Sequence, residues 1–145
     1  MSHKALIAGV GMVKFTKPGK SDEYDVLGAQ AAQAALTDAG IAYADVQQAY
    51  AGFVFGDTCS GQTALYSVGL TQIPIINVSN ACATGSTALF LARQAVESGA
   101  VDVALAIGFE QMPRGALAVT GDRKPMTARL DATVKEIQGW PEGVM

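Results

Sequence analysis

The sequence predicts a layered α/β fold whose sheet is mixed but mostly parallel. Three observations carry that expectation. Four apolar runs of strand length, Lys4–Val10, Gln48–Phe55, Ile73–Val78 and Val101–Phe109, alternate with segments of helical period. Such alternation builds sheets of parallel strands with helices packed on their faces. Two of the runs, "IPIINV" and "VDVALAIGF", are apolar at successive positions, as in strands covered on both sides.

Taken in order, "KALIAGV" forms a first strand closed by Gly9 and Gly11. "KFTKPGKSDEYD" is polar, contains Pro18 and Gly19, and reads as a loop. Ser21 or Asp22 caps the next helix, with Glu23 and Asp25 in its first turn, where acids suit the helix dipole. Leu27, Ala31, Ala34 and Ala35 share a face of that helix, and Gly40 ends it. "QAYAGFVF" is aromatic and β-branched enough for a strand, and Thr63–Gly69 follows as a short helix. After Ile73–Val78 the period becomes helical from Ala81 to about Ser98, until Gly99. Its stripe of Gly85, Ala88, Leu89, Ala92, Ala95 and Val96 is mostly small, which predicts a helix packed closely between layers. Val101–Phe109 is the last strand. Beyond Arg114 the chain is charged and holds Pro125 and Pro141, with a weak helix signal over 128–137.

Composition narrows the function classes. Of 145 residues, 50% are hydrophobic and 16% charged, and the net charge is −3. A chain of this size buries a substantial core. No basic stripe is present, so nucleic acid is not an expected partner. No apolar run approaches the roughly 20 residues that span a bilayer, and the N-terminus reads as a strand rather than a signal peptide. Two cysteines and no leader point to a reducing, intracellular setting. No metal-ligating cluster is evident, and "GVGMVKF" lacks the full glycine fingerprint of a dinucleotide site.

The chemistry concentrates in Asn77–Leu91, "NVSNACATGSTALFL". With Asn80 near the N-cap, Cys82 falls in the first helical turn, among unpaired amides that favour an anion. Thiols so placed carry a raised thiolate fraction, and the same amides suit an oxyanion. Gly85 leaves room for a close approach. The residues alone leave two readings open, a reactive thiol on a strand-to-helix turn and a thiol packed as a small hydrophobe.

The flanking residues add a resemblance. "NVSNACATGSTALFLARQAVESGAVDVALAIGFEQMPRGAL" and the upstream "AYAGFVFGDTCSGQTALYSVGLTQIPIINV" resemble the thiolase superfamily, most closely its sterol carrier protein X branch. The resemblance implies half of an αβαβα sandwich over 1–115, with 116–145 beginning an inserted loop domain, so that the chain reads as truncated. It implies thiolytic cleavage of a 3-oxoacyl-CoA of branched-chain or sterol side-chain type, with Cys82 as nucleophile and coenzyme A as co-substrate. A thiolase-like condensing enzyme, a steroid aldolase and a non-catalytic scaffold are the alternatives. A homodimer or larger assembly is implied, with "IPIINVSN" at a two-fold interface. The setting would be the bacterial cytoplasm or, in a eukaryote, the peroxisome.

The departure from the family pattern lies in the acid/base groups. The family takes its histidines and its second catalytic Cys or His from the second half. Here the single histidine is His3, which reads as a solvated terminal residue, and Cys59 in "GDTCSGQ" reads as a packed loop residue. A missing C-terminal half or a partner chain would have to supply those groups. Asn80 reads as a cap and backbone organiser. Glu110 either holds a pocket-lining loop or is a hydrogen-bonded strand-end carboxylate. Met112 and Met126 are candidates for an acyl tunnel or for ordinary loop packing. Residues that bind coenzyme A are unassigned.

Overall fold

The computed structural model describes residues 4–115 together with 132, 133, 135 and 136. The chain divides into two units, Met1–Arg114 and Gly115–Met145. In the second, residues 132, 133, 135 and 136 are helical and exposed, inside the stretch with the helix signal. Met126 and His3 lie outside the described residues.

The first unit runs α1 (Tyr24–Ala39), a 3-10 turn (Tyr43–Asp45), β1 (Gln48–Gly52), α2 (Ser60–Tyr66), β2 (Ile75–Val78), α3 (Thr84–Glu97) and β3 (Ala104–Gly108). The strands form one sheet in the order β2-β1-β3, and both pairings are parallel. The fold class is therefore α/β, as the alternation of apolar runs predicts. Alternate residues of β1 face opposite layers. Ala49 and Ala51 join Ala32 and Leu36 of α1, Ala64 and Leu65 of α2, and Leu105 and Ile107 of β3. Tyr50 joins Val78 of β2 and Ala88 and Ala92 of α3. Helices α1 and α2 thus cover one face, and α3 covers the other.

Several boundaries differ from expectation, each for an identifiable physical reason. Lys4–Val10 is not a strand. Its backbone lies along α1, where a Cβ at Gly9 would come within 2.5 Å of Ala35 O and one at Gly11 within 2.3 Å of Ala31 O. The Val10 amide donates to Asp38 Oδ2 (2.9 Å) instead of to a strand. The face Ala31, Ala34 and Ala35 receives this segment, while α1 turns Gly28, Ala32 and Leu36 to the core. Neither Ser21 nor Asp22 caps α1; Glu23 holds the N-cap without a side-chain bond. Gly40 does end α1, in the left-handed conformation at φ 65°. β2 starts at Ile75, since Pro74 has no N–H and contributes only its carbonyl, to the Ala49 amide (3.0 Å). β3 starts at Ala104 because the amides of Asp102 and Val103 donate to the Gln47 side chain. α2 starts at Ser60, whose hydroxyl closes the preceding turn by accepting from the Asp57 amide (2.8 Å) and donating to the Asp57 carbonyl (3.0 Å). α3 is covered on its sheet side by Thr84, Ala88 and Ala92, while Leu89 and Phe90 are 53% and 59% exposed. The close packing predicted for its small stripe is realised on one side only.

Helix α2 meets the sheet through Gly61, where a Cβ would lie 2.5 Å from both Ala51 Cβ and Asn77 Oδ1. Replacing Gly61 by Ala should destabilise the protein by about 1–3 kcal/mol through overpacking. Helix propensity alone would stabilise it by up to ~1 kcal/mol, so the sign of the shift in urea midpoint identifies which effect governs.

Candidate functional site

The helix after β1 and the helix after β2 lie on opposite faces of the sheet. The connections leaving those neighbouring strands therefore part at their carboxyl ends. A crevice at such a switch point is where open α/β sheets bind ligands. The two connections that part here are the β1–α2 loop, residues 53–59, and the β2–α3 turn, residues 79–83. The two cysteines of the chain sit one in each connection, and both are free and exposed.

The β2–α3 turn is built around one hydroxyl. Thr84 is 4% exposed, and its Oγ1 accepts from the Asn80 amide (2.7 Å) and donates to the Ala81 carbonyl (2.7 Å). Two backbone bonds, Ala83 N–H to Asn80 O (2.9 Å) and Thr84 N–H to Ala81 O (3.2 Å), tighten the turn. Ala81 takes φ 45°, a left-handed conformation that costs a residue with a Cβ about 1 kcal/mol or more. The turn can come down onto the sheet because β1 ends in Gly52. A Cβ there would lie 2.9 Å from both Thr84 Cγ2 and Thr84 O.

This turn moves Cys82 relative to the sequence-based expectation. The N-cap of α3 is Ala83 and not Asn80, so Cys82 stands one residue before the N-cap and outside the first helical turn. The helix starts at Thr84 because the residues from Asn80 to Ala83 are spent in the tight turn. Cys82 is exposed, so it is not packed as a buried small hydrophobe. Ala83 offers no side-chain cap. The next amides, of Gly85 and Ser86, belong to the orphan donors that every helix N-terminus presents.

Asn80 organises the turn, although it does not cap the helix. Its Nδ2 donates to Thr87 Oγ1 (2.9 Å), its amide to Thr84, and its carbonyl accepts from Ala83. Gly85 opens outward; a Cβ there would meet nothing within 4 Å. Cys59 occupies the N-cap position of α2 without making a cap. Its carbonyl accepts from Thr63 Oγ1 (3.2 Å) and the Thr63 amide (3.1 Å). Its backbone is well held while its thiol is exposed, which corrects the expectation of a packed side chain. Glu110 follows β3 and accepts from the Val54 and Phe55 amides, both at 2.9 Å. It stands on the far side of β1 from the Cys82 turn, so Glu110 and Cys82 flank the β1–α2 loop. Met112 is 37% exposed and lines an open groove of about 490 Å³ with Pro18, Lys20, Gln111 and Arg114; Cys82 is not among its walls.

Thr84 is the residue of this site that sequence reasoning passed over. A Thr two places after Cys82, ahead of a helical run, was the available signal, since short hydroxyl side chains bond local backbone at helix starts. A second omission is the amide pair beneath α2. Asn77 Oδ1 accepts from the Gly61 amide (2.9 Å), and Asn77 Nδ2 donates to Gln62 Oε1 (2.7 Å). Gln62 Nε2 in turn donates to the Ile75 carbonyl (3.1 Å), tying α2 to β2. Among the described residues no three His, Cys, Asp or Glu side chains gather as a metal site.

Comparison with known proteins gives this geometry a context. Residues 6–140 match the family described as thiolase, N-terminal domain. Sterol carrier protein 2 of Bos taurus is 54% identical over 82% of this chain and 22% of its own length. That of Gallus gallus is 50% identical over 94% of this chain and 26% of its own length. Benzoylsuccinyl-CoA thiolase subunit BbsB of Thauera aromatica is 42% identical over 76% of this chain and 29% of its own. The chain thus spans about a quarter of these relatives. Among solved structures, 3-oxoacyl-[acyl-carrier-protein] synthase III from Aquifex aeolicus VF5 shares the fold at a TM-score of 0.63 and 20% identity. The likeness covers 79% of this chain and 37% of that one.

The turn's dependence on a single hydroxyl is testable. Thr84→Val keeps the shape, leaves the Asn80 amide without its partner and leaves the Ala81 carbonyl with the Thr84 amide alone. It should cost about 1–3 kcal/mol, read as a lowered denaturation midpoint, and should change the rate of Cys82 alkylation by iodoacetamide. An unchanged alkylation rate would show that Thr84 does not set the position of the thiol.

Proposed function

This chain belongs to the thiolase family, matching its N-terminal domain, and on that premise we propose that it carries the nucleophile half of an acyltransferase that cleaves 3-oxoacyl-CoA. One observation carries the proposal: Cys82 is an exposed thiol on a strained turn at the switch point of a parallel sheet, immediately before a helix N-terminus. Its chemistry is covalent catalysis. The Cys82 thiolate adds to the 3-keto carbonyl, and the carbon–carbon bond between C2 and C3 breaks. The shorter acyl-CoA leaves as an enolate and takes up a proton, while the remaining acyl group stays on Cys82 Sγ as a thioester. The thiol of a second coenzyme A attacks that thioester, takes the acyl group and gives up its proton, and Cys82 is regenerated.

The Gly85 and Ser86 amides are the groups of this chain suited to an oxyanion at the attacked carbonyl. The base that activates Cys82 and the acid that protonates the enolate are required as well. The only histidine of the sequence is His3. We assign those roles to residues outside this chain, in the remainder of a longer polypeptide or in a partner subunit. A branched-chain or sterol side-chain substrate and a dimer are part of the same proposal. The similarity to sterol carrier protein 2 supports the substrate class.

The test is brief exposure of the complete protein to acetoacetyl-CoA, acid quenching and peptide mass spectrometry. Acetylation confined to the Cys82 peptide is expected. Cys82→Ser should lower thiolysis by at least about a thousandfold, as loss of a catalytic nucleophile does, whereas Cys59→Ser should retain activity. No acyl group at Cys82, or equal labelling of Cys59, would sink the assignment and favour a non-catalytic scaffold.

A further inference from the structure

The β1–α2 loop leaves the sheet next to the strand that leads into the Cys82 turn, yet little in its own sequence fixes it. It leaves β1 at Gly52 and carries four exposed residues in succession, Gly56, Asp57, Thr58 and Cys59, before α2 begins. Its far end is closed locally, by the exchange between Asp57 and Ser60. Its near end is held at long range. The amides of Val54 and Phe55, consecutive in the chain, donate to separate oxygens of the Glu110 carboxylate, more than fifty residues away, at 2.9 Å each. Bonds to an ionised acceptor are roughly twice as strong as neutral ones. Stacking reinforces the junction: the rings of Phe53 and Phe109 lie 5.3 Å apart with an interplanar angle of 8°, and Tyr24 also stacks on Phe109 at 5.5 Å. These bonds also explain why β1 stops at Gly52, since the amides of the two apolar residues beyond Phe53 are taken by a side chain. Val54 is left 43% exposed, an apolar side chain held at the loop.

Resting on the acyltransferase reading, we propose that Glu110 is a positioning residue that clamps the β1–α2 loop as the wall of the acyl-CoA crevice and thereby sets affinity for substrate. It acts through the Val54 and Phe55 amides and touches no reacting atom. Loss of the clamp frees the loop and leaves the Cys82 turn intact, because the hydrogen bonds that hold that turn run among Asn80, Ala81, Ala83, Thr84 and Thr87 and do not involve Glu110.

The experiment compares wild type, Glu110→Gln and Glu110→Ala in the complete protein. Glu110→Gln keeps the size and one acceptor, so it remains informative should the Ala variant unfold. Amide exchange over residues 53–59 should accelerate by about tenfold or more in Glu110→Gln, with α3 unchanged, as expected of local opening. With acetoacetyl-CoA, KM should rise by about fivefold or more, consistent with weakened binding and not weakened chemistry, with kcat within about twofold. The iodoacetamide rate at Cys82 should stay at the wild-type value. The proposal is overturned by unchanged exchange over 53–59, by exchange that accelerates equally in α3, or by a fall in kcat at constant KM. A wild-type protein that cleaves no acetoacetyl-CoA removes the acyltransferase reading, and the clamp is then decided by the exchange measurement alone.

Discussion

The contact between Thr84 and Gly52 is the constraint on which the rest of the site depends. A helix entering from the neighbouring strand must descend onto the end of β1, and only a residue without a side chain leaves space for it. Once seated, Thr84 is buried, and a buried hydroxyl must find partners. It finds them in the Asn80 amide and the Ala81 carbonyl, which bends the chain and forces Ala81 into a left-handed conformation. Cys82 is exposed as a consequence of that sequence of demands. The strain at Ala81 persists because burial of Thr84 overdetermines it.

Small residues elsewhere serve the same geometry. The core on the α1–α2 face is largely alanine beside β1, with Leu36, Leu65, Leu105 and Ile107 filling the remaining volume. Ala49 and Ala51 on the central strand let the α1–α2 layer come near the backbone, and at Gly61 a Cβ would already lie 2.5 Å from Ala51 Cβ. The outer strand β2 then needs polar attachment, which the Asn77–Gln62 amide pair provides. The sheet is narrow, but its central strand is covered on both faces, which is what fixes the register that delivers three loops to one end.

Much of this was legible in the residues. Apolar runs and the change of period located the three strands and the three α-helices described in the first unit, and the "NACATG" junction marked the thiol. What failed were the boundaries, and several of the failures have a non-local cause. The amides of Val54 and Phe55 end β1 by turning to Glu110, and those of Asp102 and Val103 delay β3 by turning to Gln47. A side chain fifty residues distant leaves no trace in local periodicity. The missing first strand has the same origin. "KALIAGV" has strand composition, but a strand exists only where another backbone pairs with it. Gly9 and Gly11 let the segment press against α1 instead. The register of Cys82 was misjudged by one turn because burial of Thr84, which sets the helix start, is a tertiary fact.

That apposition of Gly9 and Gly11 to α1 has a consequence for solution behaviour. With its backbone turned inward, the segment points Leu6, Ile7, Val10, Met12 and Phe15 outward, each at least 68% exposed. Five large apolar side chains within ten residues form a surface that water solvates poorly. In the same unit, β3 pairs only with β1 among the described residues and offers an open edge. A face of this kind is an aggregation liability unless another surface shelters it, however well packed the alanine-lined core behind it is.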